Sequence, residues 1–293
     1  MATGNMTVTT AEKHIGEMWP GDVIRAQEFN LVIAARVHRE WKYAGHGDVY
    51  HFPRIPNIEA ETKSASTAVT MRNYADTEQT LTINVHQCAG FQEEDIVKVL
   101  QNTALANEMK RKIGYTLGRA VDVNLATLPQ NFGTNIVGTL GSPLTYDDLV
   151  SAWTKLANVG IDMNDDCTWF FSPAAVAELL KQEIFINALY QGDNPRAVQS
   201  AKVGNILGAP VIQTNLTRAP AAGQSESFAI TRRAIALMMA QEVKIVTEYI
   251  AKELSNVVVG HQIYGYTEVD RYEETPGNIT ASDNWAVLLR TLA

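Results

Sequence analysis

Cysteine is nearly absent from this chain of 293 residues, where Cys88 and Cys167 are the only 2. Two thiols so far apart build no disulfide framework, so reduced, buried side chains are expected. There is no CxxC, no HExxH and no nucleophile elbow, the usual marks of zinc-ribbon, metalloprotease and serine-hydrolase chemistry. The 6 histidines (His14, His38, His46, His51, His86 and His261) are scattered without helical ligand spacing. His46 and His51 would point to opposite faces of a strand. No metal site, no cofactor and no catalytic set is therefore expected.

Long apolar runs are missing too. No stretch approaches the ~18 apolar residues of a membrane span, and residues 1–5 lack the basic segment and apolar run of a secretory signal. Positive charge is also short: 24 Lys and Arg against 32 Asp and Glu give a net charge of -8. A dedicated nucleic-acid binder would carry a basic patch large enough to release phosphate counterions. Mild acidity fits ordinary solubility, and equally a surface that encloses a polyanion without sticking to it. A cytosol-like compartment is expected.

Two segments mimic ligand loops. The stretch from Gly133 to Gly141 is rich in glycine but has no Gly-Lys-Ser/Thr ending, so it reads as a connector. Asp162, Asp165 and Asp166 lack the spacing and terminal Glu of a calcium loop and read as a solvated turn.

What is present is a long extended arm. Residues 49–56 form one predicted strand. Residues 81–86 form the return, with Leu81, Ile83 and Val85 on one face and Thr82, Asn84 and His86 on the other. The connection, 57–79, is too polar to bury itself. Such a hairpin cannot offset its ordering entropy alone, so it is expected to lie on a surface belonging to another subunit.

Next, apolar or small residues recur in steps of three and four from Ile96 through Val99, Leu100, Ile113, Leu117 and Val121 to Leu128. These steps predict one helix over 93–128. Glu93, Glu94 and Asp95 would favour its N-terminus, and Pro129 would stop it. Such a helix would run on the order of 50 Å, as a coiled-coil arm or, the reading favoured by its lack of heptads, as the spine of an elongated domain. Gly114 and Gly118 would bend it or admit a close crossing.

Beyond a Gly-rich link (131–141), Thr145 with Asp148 predicts a capped helix through Trp153 and Leu156. A buried strand, 168–171, and a helix opened by Ser172-Pro173 follow. Residues 191–200 and 217–227 read as loops around a strand at 210–214. Short strands are expected at 228–231, 235–239 and 243–246, then an unusually long one at 257–269 that would pack on the long helix. Residues 285–292 form an amphipathic stretch that would dock on the body or on a neighbour. The fold class is α+β.

The order of these elements resembles the major capsid proteins of tailed bacteriophages, whose fold is named after the HK97 phage coat. The likeness covers about 19–275. It rests on Gly47-Asp48-Val49, the Leu81-Thr82-Ile83 return ending in Phe91-Gln92-Glu93-Glu94-Asp95, the long helix, Leu144-Thr145-Tyr146-Asp147-Asp148-Leu149, and Trp169-Phe170-Phe171-Ser172-Pro173. It continues through Gly204-Asn205-Ile206-Leu207-Gly208-Ala209-Pro210-Val211, Phe228-Ala229-Ile230, Arg233-Ala234-Ile235-Ala236 and Tyr264-Gly265-Tyr266.

The resemblance implies an N-terminal arm (1–45), an extended loop (46–91), a peripheral domain with a spine helix (92–143 and 233–275), an axial domain (144–232) and a C-terminal tail (276–293). It implies a non-enzymatic subunit that assembles through pentamers and hexamers into an icosahedral shell around double-stranded DNA, made in the host cytoplasm and ending in the virion capsid. A separate scaffold protein and a portal are expected partners, with room for a decoration protein, and no membrane is involved. Contacts to a neighbour would come from Tyr50, Phe52, Arg54, Lys63, Arg72, Leu81, Ile83 and Val85 in the extended loop. Asp193, Arg196 and Arg218 would make contacts in the axial loops, and Arg232 and Arg233 would meet an acidic neighbour or stay solvated. Two other readings stay open: an encapsulin-like compartment shell of the same fold, and an α+β enzyme with a cryptic site.

Overall fold

The computed structural model describes residues 31–39, 43, 45–54, 62–69, 77–96, 103–131, 135–164, 166–182, 204–269, 271–275, 278–282 and 285–292. Two sheets organise them. The first has 3 strands in the order β3-β10-β9, where β3 is Val85–Glu94, β9 is Ile235–Ile250 and β10 is Ser255–Glu268. All neighbours in it are antiparallel. The helix α1, Thr103–Thr127, lies across its inner face.

Ile113, Leu117, Val121 and Leu125 recur every fourth residue, and all four are buried. Ile113, Leu117 and Val121 belong to the apolar stripe that the spacing predicted, and Leu125, outside that reading, extends it. Below them β10 presents Gly260, where an added Cβ would run into Ile113 and stand 3.2 Å from Leu117 Cδ1. Only glycine lets the helix come this close. Farther along, the interface turns polar. Gln262 Nε2 donates to the Leu117 carbonyl at 2.9 Å and to Gln87 Oε1 at 3.2 Å. The Tyr264 hydroxyl donates to Gln87 Oε1 at 3.0 Å, and Asn124 Nδ2 donates to that hydroxyl at 2.7 Å. Gln262 and Tyr264 are buried, and each polar atom named here has a partner, so the strip fixes register without stranding a donor.

The second sheet has 6 strands in the order β4-β13-β8-β5-β7-β6. These are β4 Ile136–Gly138, β5 Cys167–Phe171, β6 Asn205–Ile206, β7 Ala209–Gln213, β8 Gln224–Thr231 and β13 Ala286–Leu292. Pairs β5–β7 and β13–β4 are parallel, the rest antiparallel. All of β5 is buried, because alternate residues feed opposite cores. Trp169 and Phe171 pack with α2 (Tyr146–Asn158) and α3 (Pro173–Leu180), while Phe170 packs with Phe228 and the end of α1. Thr145 caps α2 in a full capping box with Asp148, and Ser172 caps α3 ahead of Pro173.

The chain before the hairpin is held by Asp122, a fully buried carboxylate on α1. It accepts from the backbone N–H of Val32 at 2.8 Å, Ile33 at 3.2 Å and Ala34 at 2.9 Å. A few residues on, His38 bridges Ala236 of β9. Gly118 faces the same segment, where an added Cβ would lie 2.8 Å from Leu31 Cδ1, so the expected close crossing occurs there.

Several boundaries differ from expectation. The described helix α1 runs about 37 Å from Thr103 to Thr127; Asp95 and Ile96 are also helical, and 97–102 of the expected helix lie outside the described residues. Glu93 and Glu94 belong to β3, opposite Asn256 and Ser255. There the period of two, with odd residues inward from Leu81 to Asp95, prevails over a helical spacing that the same residues also satisfy. The hairpin returns through Thr77–Thr82 rather than 81–86. The runs at 235–239 and 243–246 are one strand of 16 residues, and β8 starts inside the expected 217–227 loop. The Gly-rich link contains β4, and the tail stretch 285–292 supplies the inner strand β13. Leu288 and Ala286 face one core and Leu289 and Val287 the other. A run that is apolar on both faces looks alike as helix or strand until its partners are known.

Replacing Asp122 by Ala strands three amides. The expected loss is about 3 kcal/mol in urea unfolding, with faster proteolysis before residue 39; Asp122→Asn, keeping one acceptor, should lose less.

Candidate intersubunit surfaces

The hairpin pairs β1 (Val49–Arg54) with β2 (Thr77–Thr82), from Val49 opposite Thr82 to Arg54 opposite Thr77. Its root is apolar. Leu81 is fully buried against Ala236 and Met238, with Tyr43, Tyr50, Phe52, Ile83 and Val269 packed around them. The Tyr50 and Phe52 rings stand 5.5 Å apart. β10 admits the root at Gly265, where any Cβ would strike the Thr82 carbonyl and lie 2.8 Å from Leu81 Cδ2. Ile83 N–H donates to the Asp48 carbonyl at 2.7 Å and Gln79 Nε2 to the Glu268 carbonyl at 2.6 Å. Farther out, His51 Nδ1 and Glu78 Oε2 lie 3.2 Å apart in solvent.

This changes the role of Leu81. Expected to touch a neighbour, it is used up inside its own chain as the hairpin's anchor. Val85 likewise packs against its own core, and Ile83, Tyr50 and Phe52 are partly buried at the root. Lys63 is exposed in 62–69. Arg54 has its backbone in β1, while its side chain, Arg72, Asp193 and Arg196 lie outside the described residues. Arg218 pairs within the subunit: its Nη1 is 3.1 Å from Oε2 of the buried Glu226, whose Oε1 lies 3.6 Å from Arg290 Nε. Arg232 and Arg233 are exposed in the turn between β8 and β9.

Comparison with solved structures places this geometry. A structure of Mycobacterium phage Che8 is 18% identical, with TM-score 0.78 over 98% of each chain. A capsid structure of cyanophage P-SCSP1u is 14% identical with TM-score 0.78, over 99% of this chain and 96% of the other. The acidic stable capsid structure of Helicobacter pylori bacteriophage KHP30 is 11% identical with TM-score 0.78, over 100% and 99%. The chain has the HK97-like capsid fold. No family model and no curated protein matches it.

Within this capsid fold, the described residues hold no cluster of three or more potential metal ligands, and no helix is long and apolar enough to cross a membrane. One contact was invisible in the sequence: His86 Nε2 and His261 Nδ1 meet at 3.3 Å across β3 and β10. Their spacing of 175 residues gives no local signal. At the far end of the same sheet, Asp95 accepts from the Tyr249 hydroxyl at 2.9 Å and from Asn256 Nδ2 at 3.3 Å. That hydrogen bond to a carboxylate holds the Tyr249 phenol above its ordinary pKa.

Contrary to expectation only one cysteine is buried. Cys88 sits exposed on β3, because its even position faces outward, while Cys167 is enclosed in β5. Burial pushes the Cys167 thiol up to about 12, so it stays protonated and inert at neutral pH. A disulfide-exchange reagent at about pH 8 should titrate Cys88 alone in the folded chain and both thiols after unfolding. Equal rates for both in the native state would contradict the burial.

Proposed function

We infer that the chain is a major capsid protein, the subunit of an icosahedral shell that encloses double-stranded phage DNA. The observation that carries this is end-to-end likeness: a structure of Mycobacterium phage Che8 and capsid structures of a cyanophage and of a Helicobacter pylori bacteriophage match over 98% or more of this chain. A capsid fold tells of function here because its parts fit the task. The hairpin root is fastened by its own chain, leaving the polar middle free to lie on a neighbour. The α1 spine and its sheet supply an elongated plate, and the net charge of -8 lets the inner wall hold a polyanion without binding it.

In this reading residues 1–45 are the arm, 46–91 the loop over a neighbour, 92–143 and 233–275 the peripheral domain, and 144–232 the axial domain near the five-fold and quasi-six-fold axes. The tail, 276–293, carries β13 into the central sheet. The subunit is non-enzymatic and works with a scaffold protein and a portal in the host cytoplasm, where shells fill and become virions. The phage origin of the neighbours favours a genome shell over an encapsulin-like compartment.

Electron microscopy of the expressed protein, alone and with its scaffold, should reveal closed shells. A strictly monomeric, compact particle under both conditions would overturn the reading. Replacing residues 57–76 by a short turn should leave thermal stability within a few degrees of the parent yet abolish shells, because the deletion spares Leu81 and its anchor.

A further inference from the structure

The outer half of β9 has no cover. From Glu242 to Tyr249 every residue is exposed, on both faces of the sheet, although the segment is strongly β-forming. Val243 is 41% exposed, Ile245 44%, Val246 43% and Tyr249 49%. Helix α1 shields β10 and β3 but stops short of this strand's outer side. β9 is also the edge of its sheet: His38 bridges its start at Ala236, and from Lys244 to Ile250 its ladder among the described residues runs to β10. An edge so apolar, without proline and in regular register with β10 from Lys244 to Ile250, beyond the irregularity at Glu242–Val243, is a template for another strand.

The sequence of the edge selects the partner. We propose that β9 pairs antiparallel with β9 of a second copy, about a two-fold axis through Val246. In that register Lys244 of each copy stands opposite Glu248 of the other, so the axis generates the cross-strand ion pair twice. Val246 meets its own symmetry mate between them. On the other face Ile245 meets Thr247, an aliphatic-threonine pair of the kind that stabilises sheets. A slip of the axis to Ile245 sets Glu242 against Glu248 twice, and a slip to Thr247 leaves Lys244 and Glu248 without each other. The charges therefore admit one register and penalise its nearest same-face neighbour. The result is a continuous sheet through both subunits in the order β3-β10-β9-β9-β10-β3.

This proposal deepens the reading of the chain as a self-assembling subunit by naming one contact between copies, and its test separates the two. In a Cys88→Ser background, Val246→Cys places thiols of two copies directly opposite, within the Cα separation a disulfide accepts. Mild oxidation of the assembled or concentrated protein should convert most chains to disulfide dimers. Val243→Cys, three residues from the axis, should give at least tenfold fewer. Adding Lys244→Glu to Val246→Cys should lower dimer yield about tenfold, and adding Glu248→Lys as well should restore it. That rescue distinguishes pairing in this register from misfolding. Yields from Val246→Cys no higher than from Val243→Cys, or no rescue by the charge exchange, would overturn the pairing. Shells that form without Val246→Cys cross-links refute the edge contact and leave the capsid reading intact; cross-linked dimers that never build shells do the reverse.

Discussion

The architecture hangs on the seating of α1 against β10. At Gly260 the helix comes so near that no side chain fits between them, and Ile113 and Leu117 fill the space. A helix seated this closely cannot be shielded by hydrocarbon alone along its whole length, so the interface continues in polar pairs. Gln262 reaches a helix carbonyl, and Tyr264 links the helix side chain Asn124 to Gln87 of the sheet. Hydrogen bonds have narrow distance and angle limits, so this strip fixes the rotation and slide of the helix where apolar packing would tolerate several. Asp122, on the same helix, then fixes the incoming chain through three amides. One plate thereby orders the N-terminal segment, the spine and the long sheet.

The hairpin depends on that plate at second hand. Its root is accepted at Gly265, five residues beyond Gly260 on the same strand, and buried under Leu81. Residues 62–69 between its strands are exposed, and the outer half of β9 is similarly exposed. Both are costly for a monomer: one carries ordering entropy that no core repays, and the other leaves an unpaired strand edge beside water-exposed valines and isoleucine. The proposed contacts between copies would remove both costs together.

Legibility in the sequence followed the range of the interaction. Thr145 with Asp148 and Ser172 with Pro173 were readable because caps are made within four residues. The α1 stripe and the alternation from Leu81 onward were readable as periodicities. Glu93 and Glu94 satisfied both periods, and only pairing with Asn256 and Ser255 decided for the strand, while Asp95 and Ile96 turn helical. The candidate contacts fared unevenly for a related reason. Tyr50, Phe52 and Leu81 were recognised as apolar members of an arm, but whether their faces turn toward the same chain or another depends on Gly265, which lies far away in sequence. Arg218 looked like a rim charge until Glu226 appeared 3.1 Å from it.

By itself the sequence determined the α+β class, the helix starts at Tyr146 and Pro173 and the lack of a reactive motif, since these rest on local capping, periodicity and residue chemistry. Tertiary structure alone decided that β13 enters the six-stranded sheet between β4 and β8, that β9 is one strand running past the edge of its cover, that His86 meets His261 and that Leu81 is an anchor. Each is a hydrogen-bond ladder or a packing contact between distant segments, and local periodicity carries no record of which strand will lie beside which.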